Sequence, residues 1–208
     1  MSHHIWRFIK AIMQKWFQSN GNTFCLVLLK ENILILIIQT GHKGVCFVKY
    51  SKEALNDIYS EDYFCFFWGH QPAKDGRITE SCLSQWWKCI FMENQILFCC
   101  AEQYMMYRKA MLFKDFEYAQ KIICSKDPKE IKEYGRLVRG FDENKWNEEK
   151  TNIVLRGNIL KFSQNEELYR FLIETKDKIL VEASPYDKIW GIGIRKNTEG
   201  ILEPSKWK

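Results

Sequence analysis

The strongest constraint on what this chain can fold into is a change of texture at Cys100. Before it lie two aromatic-rich runs of strand length, YFCFFWGHQ (63–71) and SQWWKCIF (84–91), separated by the turn-like PAKDGR (72–77). Aromatic residues bounded by Gly, Pro and Asp favour short strands. After Cys100 the apolar spacing becomes helical almost to the end. The pattern predicts helices over 101–113 and 116–124. A third is opened by Asp127-Pro128, with Asp as cap and Pro in the first turn, and runs towards Leu137. A long amphipathic helix follows over 146–162, with Ile153 and Leu160 inward, and a short one over 165–174. Residues 178–183 read as a strand, and IWGIGI (189–194) as a closing extended segment with two conformationally free glycines. The sum is an α+β domain, mainly helical, with a short aromatic-rich sheet and no internal repeat.

A chain of 208 residues, 46% hydrophobic and 15% aromatic, is long enough for one well-buried core and an appendage. Its formal charge of +5 arises in the first fifty residues, where Arg7, Lys10, Lys15, Lys30, Lys43 and Lys49 face only Glu31, 6 − 1 = 5. The neutral remainder argues against an extended basic groove for duplex nucleic acid. Residues 1–60 read as an N-terminal extension. Within it Ile5, Trp6, Ile9, Ile12, Met13 and Trp16 fall at helical spacing opposite Arg7, Lys10 and Lys15. Such a helix can dock on the domain, lie on a membrane or act as a weak targeting segment. Segments 24–29 and 33–38 then suggest a hairpin around Lys30, Glu31 and Asn32. Those residues break the apolar run, so no stable membrane insertion is expected. Eight cysteines without CxxC or His-rich spacing predict reduced thiols in the cytoplasm, or in the nucleus of a eukaryote, and no metal site.

Candidate chemistry concentrates in AEQYMMYRKA (101–110). On a helix, Glu102 and Lys109 lie almost two turns apart on one face, with Met105 and Met106 between them. Such a pair is either a solvated charge pattern or part of a site. Trp86, Trp87, Trp146 and Trp190 can each bury a ring in the core or present it to a flat heterocycle. Arg136 and Arg139, in GRLVRG, can clamp a phosphate or form surface salt bridges.

Several longer runs carry a resemblance. AEQYMMYRKAMLF, DPKEIKEYGRLVRGFDENKW, IVLRGNILKFSQN and LVEASPYDKIWGIG, in this order and spacing, closely resemble the signatures of the NADAR superfamily, the YbiA-like N-glycosidases. FFWGHQP and LSQWW resemble the family's opening strand and its Phe-Ser-Gln-Trp segment. The likeness covers about 63–207, so the family domain is placed at 61–208, with the extension outside it. The resemblance implies cleavage of a ribosyl C1′–N bond to a planar ring. Family substrates include phosphorylated riboflavin-pathway intermediates and ADP-ribosylated guanine. It implies Glu102, Lys109 and Asp187 as catalytic residues and Gln85, Trp86, Arg136, Trp146 and Trp190 as substrate-binding residues. No cofactor is implied.

Breaking a C1′–N bond develops positive charge on the ribose, which a nearby carboxylate stabilises. Glu102 matches the family's key acid. Lys109 matches its Lys, as an amine that attacks C1′ to give a Schiff base or as a cation that orients Glu102 or binds a ribose hydroxyl. Trp146 and Trp190 would wall the base, and Asp187 would accept from a ribose hydroxyl or base nitrogen. Arg136 is the first choice for the phosphate, and Gln85 and Trp86 would touch the base edge. The expected partner is therefore a phosphorylated ribosyl or ADP-ribosyl substrate, free or on a nucleic-acid base. A module that holds ADP-ribose or NAD without cleaving it is the alternative. Three departures matter, one of them that Cys99 and Cys100 sit directly before the Ala-Glu motif, where an oxidised thiol would impair the site. The YbiA branch has Asp two residues after the Trp of the closing motif where this chain has Ile192, so the riboflavin-intermediate specificity is not expected to transfer. Members usually continue past EPSKWK (203–208) with a further helix, so the domain reads as short at its C-terminus.

Overall fold

The computed structural model describes residues 25–30, 33–39, 45–51, 55 and 60–207 apart from 177 and 188–190. The expected N-terminal amphipathic helix and Trp190 lie outside them. The chain divides into two compact units, Gly69–Arg170 and a second made of the chain up to Trp68 with Phe171 onward.

Gly69–Arg170 is built around one helix. Strands β5 (Phe91–Glu93) and β6 (Ile96–Phe98) form a tight antiparallel hairpin, turned by Asn94 and Gln95 at positive φ, 49° and 65°. Helices α1 (Ala101–Leu112), α2 (Phe116–Cys124), α3 (Pro128–Arg136) and α4 (Glu143–Ser163) follow. Each starts where a side chain satisfies the orphan N–H groups of its first turn. Asp115 accepts from Tyr118 N–H, Asp127 from Lys129 N–H, and Asp142 from Lys145 N–H. Pro128 takes the first turn of α3 as the sequence predicts, whereas Asp142 starts α4 ahead of the expected residue 146.

Helix α1 packs against α2, α3 and α4. Two glycines permit its close approaches: a Cβ on Gly157 of α4 would stand 2.7 Å from the Tyr104 ring, and one on Gly135 of α3 would overlap Met106 Sδ. Tyr104 is buried between Phe91 and Phe98, and its hydroxyl donates to Glu93, which also accepts from Arg156 of α4. A buried polar network thus fixes the hairpin on the helices.

SQWW (84–87) is not a strand. A 3-10 turn, Glu80–Leu83, leads into it, Trp87 N–H closes a turn on Ser84 O, and only Phe91–Glu93 is extended. The cause is Lys161 of α4, fully buried, whose ammonium donates to Cys82 O (2.6 Å) and Ser84 O (2.7 Å) and draws both carbonyls out of any strand ladder.

In the second unit, β1 (Cys25–Lys30), β2 (Ile33–Gln39) and β3 (Val45–Ser51) form an antiparallel sheet in that order, so the expected hairpin gains a third strand. Strand β4 (Phe64–Phe67) pairs in parallel with β7 (Ile179–Glu182), with Trp207 edge-on to Phe64 and Phe66. Helix α5 (Glu166–Glu174) precedes β7. The described part of IWGIGI, 191–194, is a bent loop rather than a strand. Ile192 N–H donates to Glu182 O and Gly193 N–H to Ser184 O, with Gly193 at φ +72°, so the chain folds back on β7 where extended pairing would carry it away.

Candidate active site

The start of α1 sets the position of Glu102. Cys100 is extended (φ −168°) and its Sγ accepts from Gln103 N–H at 3.4 Å. The Gln103 side chain accepts from Cys99 N–H (2.8 Å) and donates to Ile122 O (3.0 Å) and Ser125 O (2.7 Å), tying the first turn of α1 to the end of α2. Glu102 N–H donates to Gln85 O at 2.9 Å, which docks the SQWW turn on the same helix end. Gln85 exchanges two hydrogen bonds with Asn158 of α4, at 3.0 and 3.1 Å. Glu102 is 8% exposed. A carboxylate in the first turn of a helix is favoured by the helix dipole, and a desolvated one exerts a stronger field on a neighbouring charge.

Lys109 lies about 10.5 Å further along α1 by helical rise. It is half-buried, and its Nζ donates to Gly135 O at 2.7 Å. The amine stands 4.4 Å from the centre of the Phe141 ring and 5.7 Å from that of Trp146. Burial holds its pKa below the ordinary lysine value. Two influences compete at such a lysine: a carboxylate would favour the ammonium, and desolvation opposes it. Here desolvation decides the direction. Sequence reasoning missed Phe141 and Gly135. The latter becomes visible only when α1 and α3 are seen close enough for a bare backbone carbonyl to meet the amine. Phe141 packs edge-on against Phe113 at 5.3 Å, beside a cavity of about 550 Å³ lined by Phe113, Gly140, Asp142 and Lys145.

The arginine alternatives separate. Arg139 is held by the buried Asp115 through Nε (2.9 Å) and Nη2 (2.6 Å), and also reaches Glu117 (2.8 Å). Its guanidinium keeps the Asp115 carboxyl well below the usual carboxylate range. Arg136, next to the Lys109 acceptor, is exposed and has no ion-pair partner among the described residues. Trp86 is half-buried against the cluster of Ala110, Ala119, Ile122 and Ile131.

Gln85, Trp86, Glu102, Lys109, Arg136 and Trp146 thus share the Gly69–Arg170 unit, with Gln85 and Trp86 at the start of α1 and Trp146 at Lys109. Asp187 belongs to the other unit, in a turn where Ser184 Oγ accepts from its N–H at 3.1 Å. Glu182, at the end of β7, was not singled out from sequence. Burial, and after it the Asp187 carboxylate, pushes its pKa up to about 7. Among the described residues no group of three or more His, Cys, Asp or Glu is placed to hold a metal ion, and no helix is long and apolar enough to cross a membrane.

A model of the NADAR domain matches residues 66–208. The chain is 43% identical over 152 residues to an N-glycosidase of Acanthamoeba polyphaga mimivirus, covering 70% of this chain and 87% of that one. It is 30% identical over 95 residues to an N-glycosidase of Nostoc punctiforme, covering 46% and 61%. The NMR structure of the E. coli protein YbiA superposes with a TM-score of 0.54 over 73% of this chain and 88% of that chain; at 22% identity this is a likeness of fold.

Proposed function

The chain belongs to the NADAR family and has N-glycosidase activity, and from that premise we propose that it hydrolyses the C1′–N bond between a phosphoribosyl or ADP-ribosyl group and a planar nucleobase-like ring. The observation that carries this reading is the environment of Lys109: an amine on a backbone carbonyl, against the rings of Phe141 and Trp146, with its pKa lowered by burial. Burial moves this lysine in the direction of the neutral amine that a nucleophile requires. It attacks C1′, the C1′–N bond breaks, and the base leaves with a proton; the opened ribosyl imine is then hydrolysed by water. Glu102 stabilises the positive charge that develops on the ribose, and its seclusion strengthens that effect.

Arg136 supplies a cation for the phosphate, and Trp146 stacks on the base. Gln85, held at the start of α1, reads the base edge with Trp86. For Asp187 and Trp190 the assignment rests on the closing motif alone, and the division into a 1–60 extension and a 61–208 domain rests on the span of the family resemblance. ADP-ribosylated guanine is the favoured substrate, because Ile192 replaces the Asp of the riboflavin-intermediate branch. Incubation with an ADP-ribosylated guanine oligonucleotide, a phosphoribosylamino-pyrimidine and NAD, followed by mass spectrometry, tests the reading. Release of free base from the first, with borohydride trapping of the ribosyl group on Lys109, is expected. Thermal stabilisation by a substrate without any product would instead fit a binding module.

A further inference from the structure

We propose that Cys99 is a thiol-modification site, at which an acidic small-molecule disulfide forms a mixed disulfide inside the cavity walled by Trp86, Cys89 and Ile131. The cavity holds about 300 Å³ within the Gly69–Arg170 unit, and its other walls include Cys99, Cys100, Lys88 and Lys126. Three thiols meet there. Cys89 N–H donates to Cys99 O at 3.0 Å, and Cys100 follows Cys99 directly in the chain.

The three are not equivalent. Cys100 is buried, its Sγ caps α1, and its pKa is pushed up by the neighbouring Cys99 thiol and by burial. Cys89 is pushed up to about 11 by burial. Cys99 is drawn below the ordinary thiol range, first by the neighbouring Cys100 thiol and further by Lys126 and Lys88, against the opposing effect of burial. The thiolate is the attacking form, and Cys99, half-buried on the wall it shares with Lys88 and Lys126 while Cys100 is buried and occupied as the cap of α1, is the member of the cluster placed to react. Lys88 and Lys126 are exposed cations, which favour a partner carrying carboxylates, and the Trp86 and Ile131 walls shelter its carbon chain. In the exchange the Cys99 sulfur attacks one sulfur of the disulfide, a new S–S bond forms as the old one breaks, and the departing thiolate takes a proton from water. Cys99 is oxidised and the departing half is reduced.

The described residues supply an internal control in Cys124, an exposed thiol that simple accessibility would select. The fully reduced, full-length protein is treated with oxidised glutathione near pH 7, quenched over time and mapped by peptide mass spectrometry. The expected first adduct is one glutathionyl group on Cys99, formed several-fold faster than at Cys124, as binding of the acidic disulfide beside Lys88 and Lys126 requires. Reductant removes it. Lys88→Gln with Lys126→Gln slows Cys99 several-fold and leaves Cys124 unchanged, and the neutral hydroxyethyl disulfide loses the preference for Cys99. Circular dichroism of the double variant verifies its fold. Modification of Cys124 first, a Cys89–Cys99 disulfide without retained glutathione, or a Cys99 rate indifferent to the two lysines would each overturn the proposal.

Discussion

Lys109 shows how much one side chain's surroundings decide. A solvated lysine is an ammonium at neutral pH and cannot attack carbon. Burial beside Phe141 and Trp146 lowers the pH at which the neutral amine becomes populated. Turnover is therefore expected to rise with pH along a limb centred below 10.5, the ordinary value. Lys109→Arg, which cannot deprotonate, should lose both that limb and the borohydride-trapped adduct; a pH–rate profile with trapping measures both. Asp115 illustrates the opposite sign. Its folded pKa is depressed, so its stabilising contribution is present above the unfolded value of 3.8 and is lost as pH falls below it. Asp115→Ala also removes the α2 cap, at a cost of about 1 kcal/mol, readable as a lower denaturant midpoint. That Glu102 and Lys109 share one face of α1 could be read from the helical spacing, whereas the roles proposed for them come from the family resemblance. Phe141 and Gly135 could not, because their proximity to Lys109 depends on where α3 and the following loop pass α1.

At the scale of elements, the helices were legible because each carries its own punctuation. Asp115, Asp127-Pro128 and Asp142 are local signals that need no tertiary context. The SQWW segment was not, since its strand-like composition is overridden by Lys161, more than seventy residues later, whose ammonium takes the carbonyls of Cys82 and Ser84. Replacing Lys161 by Ala would take a charged donor from each of those buried carbonyls and leave a new void. A loss of about 3 kcal/mol is expected from the two effects together, measured by chemical denaturation. The close approach of α1 and α4 makes a second prediction. Gly157→Ala places a methyl 2.7 Å from a carbon of the buried Tyr104 ring, which has little room to move. A destabilisation of about 1–3 kcal/mol follows.

For the molecule as a whole, the fold class was readable from the change of texture at Cys100, and the family from several long motifs in register. The described part of the closing motif, 191–194, was expected to be extended because isoleucine favours extension; backbone bonds from Ile192 and Gly193 to Glu182 and Ser184 fold it back instead. Glu182 gives the whole chain a pH signature. Its carboxyl titrates at about 7 when folded, against an ordinary 4.5, so the folded state binds the extra proton between those values. Stability should fall as pH rises across that window, and Glu182→Gln should flatten the fall in a series of thermal melts.

The central claim is that the secluded Glu102 carboxylate stabilises a ribosyl cation as its base departs. Glu102→Gln keeps the side chain's size and removes its charge, so base release from ADP-ribosylated guanine, followed by mass spectrometry, tests the claim most directly. A loss of roughly a hundredfold or more is expected, with the melting temperature and substrate binding largely retained. Turnover at the rate of the unmodified protein would contradict it.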